Sequence, residues 1–213
     1  MEGNYLLKGG LAMSIFWWIW FDRKRRSDED KKILIVGIAL SFVSLLIARG
    51  LALLLPFRQR PLRNPALNFQ IPFTLNPNVL IGWSSLPSDH ATLYFCLAIV
   101  LFFISRKLGL AALLYTCIVV CFPRLYLGIH YPTDILAGAV LGIAIGSTVG
   151  IRKIRQTVAD PFIHWMETSP QSFYPVLFFC TFCVAQQFDG VREMGKFTFD
   201  LAKFVAHHHH KIG

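Results

Sequence analysis

Charge is scarce in this sequence. Asp, Glu, Lys and Arg make up only 15% of its 213 residues, where about 25% is usual for a soluble domain. Hydrophobic residues make up 54% and the mean hydropathy is +0.51. That balance argues against a soluble enzyme and points to the bilayer as solvent. Other things are missing too. No glycine-rich nucleotide loop follows a strand pattern, and no Cys/His cluster has metal-ligand spacing. The net charge of +9 comes with no nucleic-acid motif, so nucleic acid is not an expected partner. The five cysteines, Cys96, Cys117, Cys121, Cys180 and Cys183, all fall inside apolar runs, where a thiol acts as a small hydrophobe. Cys180 and Cys183 have C-x-x-C spacing without a βαβ pattern, so no disulfide is expected. A secretory signal peptide is not expected, because the basic cluster follows the first apolar run, at about 9–21, instead of preceding it. The HHHH at 207–210 reads as a solvated tail.

What is present is a series of long apolar runs. A helix needs about 20 mostly apolar residues to cross the hydrocarbon core. Six candidate spans satisfy this roughly, at 4–21, 33–56, 87–105, 108–127, 132–151 and 173–189. The expected fold is all-α: one integral-membrane helical bundle over 1–213, with a tail at 190–213. The 22–32 connector holds six basic residues, and basic residues recur at 106–107 and at 152–155. All three segments fall on one side, which should be cytoplasmic. The other face then carries the 57–86 loop, the 128–131 corner and both chain ends. Gly138, Gly142, Gly146 and Gly150 recur every four residues, a stripe that lets another helix approach closely. Arg49, deep in the second span, should face protein or water.

The polar residues that suit chemistry collect on the outer face. PFRQRPLRNP sets Arg58, Arg60 and Arg63 within six positions. Arginines are disfavoured on this side, and planar guanidinium groups bind phosphate oxygens in pairs, so the cluster reads as an anion site. SSLPSDHATLYF follows at 84–95. Proline is favoured at the first position of a helix. With Pro87 there, the amides of Ser88, Asp89 and His90 form a first turn whose N–H groups and dipole attract an anion. The Ser88 hydroxyl adds a donor or caps the helix, and His90 sits about one turn in. The third segment, PRLYLGIHYPTDILAG at 123–138, holds Arg124, His130 and Asp134. Pro132 again marks a helix start. Asp134 lies four residues after His130, so its carboxylate can reach back to the imidazole. A histidine pinned at one ring nitrogen keeps the other for chemistry. A helix cap or a core histidine explains any one of these residues, but less readily all three segments together. The set suits metal-free phosphoryl transfer, with cations and amides on the phosphoryl oxygens, one imidazole attacking and the other protonating the leaving oxygen.

These motifs resemble the type 2 phosphatidic acid phosphatases, relatives of the vanadium haloperoxidases. The family pattern is K-x6-R-P, P-S-G-H and S-R-x5-H-x3-D. Here PSDH at 87–90 matches the second motif in three of four positions, Arg124, His130 and Asp134 complete R-x5-H-x3-D, and RP at 60–61 ends the first. The likeness covers about 45–151. It implies a helical-bundle core, no metal or other cofactor, and a lipid phosphate or pyrophosphate substrate such as undecaprenyl pyrophosphate. It further implies that His130 is the nucleophile, that Asp134 orients it, and that His90 protonates the leaving group. Arg60, Arg124 and Ser88 would bind the phosphoryl group. The expected location is a bacterial-type inner membrane, with the site on the outer face.

Three positions depart from the pattern. The family lysine would fall at Leu53, and its charge has two candidate sources, Arg58, which is favoured, and Arg49. Pro123 replaces the serine before Arg124. Asp89 replaces the glycine, and at a helix start it can point outward or can select the head group. The same residues would serve a phosphotransferase. A non-catalytic transporter or lipid-binding protein is the competing class, supported by the three departures. Oligomeric state is not readable from the sequence. The apolar loop at 64–83 reads as a lid or an interfacial segment.

Overall fold

The computed structural model describes residues 6–22, 28–70 and 81–187, and these are all helix and loop. A single π turn, Leu6–Gly10, leads into α1, Leu11–Phe21. Helix α2, Asp28–Leu54, opens with Asp28, Glu29 and Asp30, three carboxylates at the positive end of its dipole. Two short 3₁₀ turns, Pro61–Arg63 and Pro65–Leu67, interrupt the long loop that follows. Then come α3, Asp89–Ile104, and α4, Arg106–Tyr126. Helix α4 widens into a π-helical stretch at Thr116–Cys121, just before Pro123. A proline inside a helix cannot donate its backbone bond, and a local π adjustment is one way a span absorbs that loss. Helix α5, Pro132–Ser147, continues through a 3₁₀ turn to Gly150. Helices α6, Arg152–Thr168, and α7, Pro170–Ala185, complete the described chain.

Helix α3 is the axis of the bundle, packed between α2, α4 and α5. Ala91, Leu93 and Cys96 on it are fully buried. Its closest neighbour is α5, and the glycine stripe is the reason. A Cβ on Gly138 would sit 2.6 Å from the Ser88 carbonyl oxygen, and one on Gly146 2.8 Å from that of Cys96. On Gly142 it would collide with the Thr92 carbonyl oxygen. The stripe is therefore a packing surface, as its spacing suggested. Gly142→Ala is expected to destabilise the bundle by about 1–3 kcal/mol through overpacking, read as a lower thermal midpoint in detergent. Gly50→Ala, where nothing lies within 4 Å of an added Cβ, is expected to be neutral or stabilising, because alanine is the better helix former.

Among the described residues, three helices are long and apolar enough to cross a membrane: α2, Arg106–Tyr126 and Pro132–Gly150, at the expected second, fourth and fifth spans. Helices α3 and α7 are apolar but have 16 residues each, about 24 Å at 1.5 Å per residue. The first run contributes an α-helix of 11 residues. The basic segment at 152–155 directly follows Pro132–Gly150, as expected. It starts α6, an amphipathic helix with Arg152 and Lys153 exposed and Ala159 and Ile163 buried. Helix α6 is pinned to the start of α2 by Lys32–Asp160 at 2.7 Å and Arg155–Glu29 at 3.3 Å. Gly150 meets the Phe103 ring near the end of α3. The start of α2 and the basic segments at 106–107 and 152–155 thus share one end of the bundle. Residues 23–27, most of the apolar loop at 71–80, and the tail with 207–210 lie outside the described residues.

Candidate active site

At the opposite end of the bundle, the start of α3, the end of α4 and the start of α5 meet the loop after α2. The junction begins with α5. Asp134 is the third residue of that helix and fully buried. Its Oδ2 accepts from the Tyr131 backbone N–H at 2.8 Å, which caps the helix. Its Oδ1 accepts from Arg58 Nη1 at 2.7 Å, and the same nitrogen donates to Thr133 Oγ1 at 2.8 Å. The Arg58 guanidinium also lies over the Tyr131 ring, 4.2 Å from its centre. The sequence favoured Arg58 as a stand-in for the missing lysine. The structure places its guanidinium on Asp134.

His130 is carried by a tight corner. Gly128 has φ +65°, a conformation that favours glycine, and the Ile129 and His130 N–H groups fold back onto the Arg124 carbonyl oxygen at 3.0 and 3.3 Å. The imidazole is 5% exposed. Its Nδ1 lies 2.9 Å from the Ser85 carbonyl oxygen and 3.7 Å from Asp134 Oδ2. A carbonyl can only accept, so Nδ1 carries the proton and Nε2 keeps its lone pair. Ser85 is thus an orienting partner that the sequence reading missed, beside the expected Asp134. Tyr131 is another, tethered through its hydroxyl to Asn64 Nδ2 at 3.1 Å. Burial pushes the His130 pKa down to about 4, against the pull of the nearby Asp134 carboxylate and with help from Arg60 and Arg124. At neutral pH the imidazole is uncharged.

Arg60 and Arg124 are both buried, 4% and 3% exposed. Arg60 Nη1 donates to the Ile129 carbonyl at 2.9 Å and lies 3.4 Å from His130 Nε2. Its Nη2 donates to the Ser84 carbonyl at 3.2 Å, while Arg60 Nε is buried without a hydrogen-bond partner among the described residues. Burial lowers the Arg60 pKa to about 10, so it stays charged at neutral pH. Two buried guanidinium groups beside one neutral imidazole have the chemistry to hold an anion.

The start of α3 closes the junction, with corrections. The helix begins at Asp89, with Ser88 as its N-cap, so Pro87 precedes the cap and is not the first helical residue. Ser88 is fully buried. Its hydroxyl accepts from the Ala91 N–H at 3.5 Å, and its own N–H donates to the Asp134 backbone carbonyl at 3.1 Å. This last bond sets the two helix starts against each other. His90 follows, half-buried, in the first turn of α3. Asp89 does not point outward. It pairs with Arg49, whose guanidinium lies over the Trp83 ring, 4.1 Å from its centre. Arg49 therefore faces the protein interior, while Leu53, at the lysine position, is 86% exposed. Arg63 lies in the Pro61–Arg63 turn. No group of three or more metal-ligating side chains occurs among the described residues.

Residues 57–153 match the PAP2 superfamily. The chain is 40% identical over 81 residues to the bacitracin transport permease protein BcrC of Bacillus licheniformis, covering 36% of this chain and 39% of that protein. It is 29% identical over 120 residues to the undecaprenyl-diphosphatase BcrC of Bacillus subtilis (strain 168), covering 56% and 57%. It is 26% identical over 151 residues to the lipid A 1-diphosphate synthase of Escherichia coli (strain K12), covering 68% and 60%. The chain therefore spans less than two thirds of the length of each of these relatives. No solved structure matches it.

Proposed function

We propose that this chain is an integral-membrane phosphatase acting on a lipid diphosphate, a reading supported by the match of residues 57–153 to the PAP2 superfamily and by the motifs that resemble that phosphatase family. One observation carries the reading. The unprotonated Nε2 of a buried, neutral His130 lies beside the guanidinium of Arg60, and the charge of Arg124 also reaches the imidazole. A nucleophile held ready beside cations suits attack on phosphorus. The name of the Bacillus subtilis relative supports an undecaprenyl-type diphosphate as substrate. The basic end of the bundle, opposite the site, supports a cytoplasmic placement for that end and an outer-face active site.

The chemistry runs in two steps. Nε2 of His130 attacks the terminal phosphorus, and the bond to the leaving oxygen breaks as His90 gives that oxygen a proton. Arg60, Arg124 and the first-turn N–H groups of α3 hold the phosphoryl oxygens as charge develops on them. Water then attacks the phosphohistidine, giving its proton to His90, and inorganic phosphate leaves with His130 restored. The arginines supply the positive charge, so no metal is needed. The test is a panel of undecaprenyl pyrophosphate, phosphatidic acid and phosphatidylglycerol phosphate, assayed for phosphate release with and without EDTA. Release that EDTA abolishes, or no release from any of the three, sinks the proposal.

The low His130 pKa predicts a pH profile. A histidine whose folded pKa is depressed to about 4 stays unprotonated, and competent, down to that pH. The acid limb of kcat/KM is therefore expected well below 6.5, and a limb centred at 6.5 would contradict the buried nucleophile. Stability has the same sign. The unfolded histidine takes up protons below about 6.5 and the folded one only near 4, so this contribution is lost as pH falls through that window. A second reading, phosphoryl transfer to an acceptor lipid in place of water, is favoured by the synthase name of the Escherichia coli relative. Phosphorylated acceptor appearing without free phosphate would select it.

A further inference from the structure

The ion pair between Arg49 and Asp89 has no role in the two steps above, yet it stands at the wall of the site. Asp89 is the first residue of α3, directly before His90. Arg49 reaches it from α2, with its guanidinium over the Trp83 ring. The two side chains are 26% and 13% exposed, so the pair is largely screened from solvent. Both charges are felt at the buried Arg60, which Asp89 stabilises in its charged form and Arg49 destabilises. A surface helix cap would not need a partner brought from another helix, and side-chain entropy opposes holding one.

We propose that Arg49 holds the second phosphate of a diphosphate head group, and that Asp89 is the counter-ion that keeps Arg49 in place before substrate arrives. This rests on the phosphatase reading. The transferred phosphoryl group sits at His130, between Arg60 and Arg124. Its leaving oxygen must face the acid, His90, which adjoins Asp89 in the first turn of α3. In a diphosphate the leaving group begins with an anionic phosphate, which a guanidinium can take bidentately. In a monophosphate ester it begins with a carbon, to which Arg49 offers nothing. The carboxylate of Asp89 and the incoming phosphate compete for one cation, so Asp89 also disfavours weak anions that cannot displace it.

The experiment compares farnesyl diphosphate with farnesyl monophosphate, which share a tail and differ by one phosphate, on the purified full chain in detergent. Arg49→Gln is expected to lower the diphosphate-to-monophosphate ratio of kcat/KM by roughly 10- to 100-fold, the scale of a lost charged hydrogen bond, and Arg49→Lys, which keeps the charge without the bidentate fork, to restore only part of it. An unchanged ratio overturns the proposal, whether or not total activity falls. Should Arg49→Gln fail to fold, inhibition by inorganic pyrophosphate of Asp89→Asn decides instead. Removing the competing charge is expected to tighten pyrophosphate inhibition by about tenfold relative to orthophosphate, and equal shifts for the two anions overturn it. Wild-type protein that releases phosphate from neither farnesyl substrate would instead refute the phosphatase reading itself.

Discussion

His130→Ala is expected to abolish phosphate release from every substrate the wild type accepts, by about 10⁴-fold or more, because removing a nucleophile removes the covalent route as a whole. The substitution takes away a ring that is 5% exposed and leaves the Ser85 carbonyl without its donor. Some loss of stability will accompany it, so folding is checked separately by thermal midpoint and by retained binding of lipid diphosphate. The corner itself does not depend on the imidazole, because Gly128, Ile129 and the Arg124 carbonyl set it through backbone bonds. Arg60 and Arg124 also remain, so binding is expected to survive where turnover does not. A protein that only bound or carried the lipid would show no turnover to lose. Substantial hydrolysis in a folded His130→Ala protein would remove His130 from the mechanism and leave the arginine pair as a binding site alone.

The sequence made the site's participants legible because motif spacing constrains them. Four residues from His130 to Asp134 and a proline at 132 place the carboxylate at a helix start beside the imidazole, and the structure has that arrangement. The glycine stripe was legible for a similar reason, since four glycines in helical register leave a smooth face. Partnerships across the chain were less legible. Arg58 pairs with a residue 76 positions away, and Arg49 with one 40 away, and no local period encodes either choice. Ser85 acts through its backbone carbonyl, a group every residue carries, so its identity gave no signal. The start of α3 was misplaced by two residues because Pro87 fits both a first helical position and the position before a cap. Helix α6 did leave a signal. Ala159 and Ile163, four apart, form its buried face, though the basic cluster that opens the helix is the stronger local feature.

Asp134 carries the second large effect, and the two partners of His130 Nδ1, Asp134 and the Ser85 carbonyl, determine the form it takes. Where a carboxylate alone fixes the tautomer of a catalytic histidine, replacing it by an amide costs about 10⁴-fold. Here the Ser85 carbonyl holds the Nδ1 proton at 2.9 Å, while Asp134 Oδ2 stands at 3.7 Å. Asp134→Asn keeps an oxygen that can accept the Tyr131 N–H and leaves the Ser85 bond intact, so the reactive tautomer persists. What it removes is the negative charge that steadies the imidazolium-like phosphohistidine and balances Arg58. The expected cost is roughly 10- to 100-fold in kcat, on the scale of one charged hydrogen bond. Asp134→Ala also removes the helix cap. Because Asp134 is fully buried and Arg58 is 36% exposed at its side chain, the stability loss is expected to be about 1–3 kcal/mol, at the lower end for a broken buried pair. Its kcat is expected to fall at least about tenfold below that of Asp134→Asn, since the corner carrying His130 loses its anchor to α5. Single-turnover formation of phosphohistidine measured in both variants decides between the two orienting partners. If Asp134→Asn falls as far as His130→Ala while its thermal midpoint stays near wild type, then the carboxylate alone fixes the tautomer and the Ser85 carbonyl is a bystander.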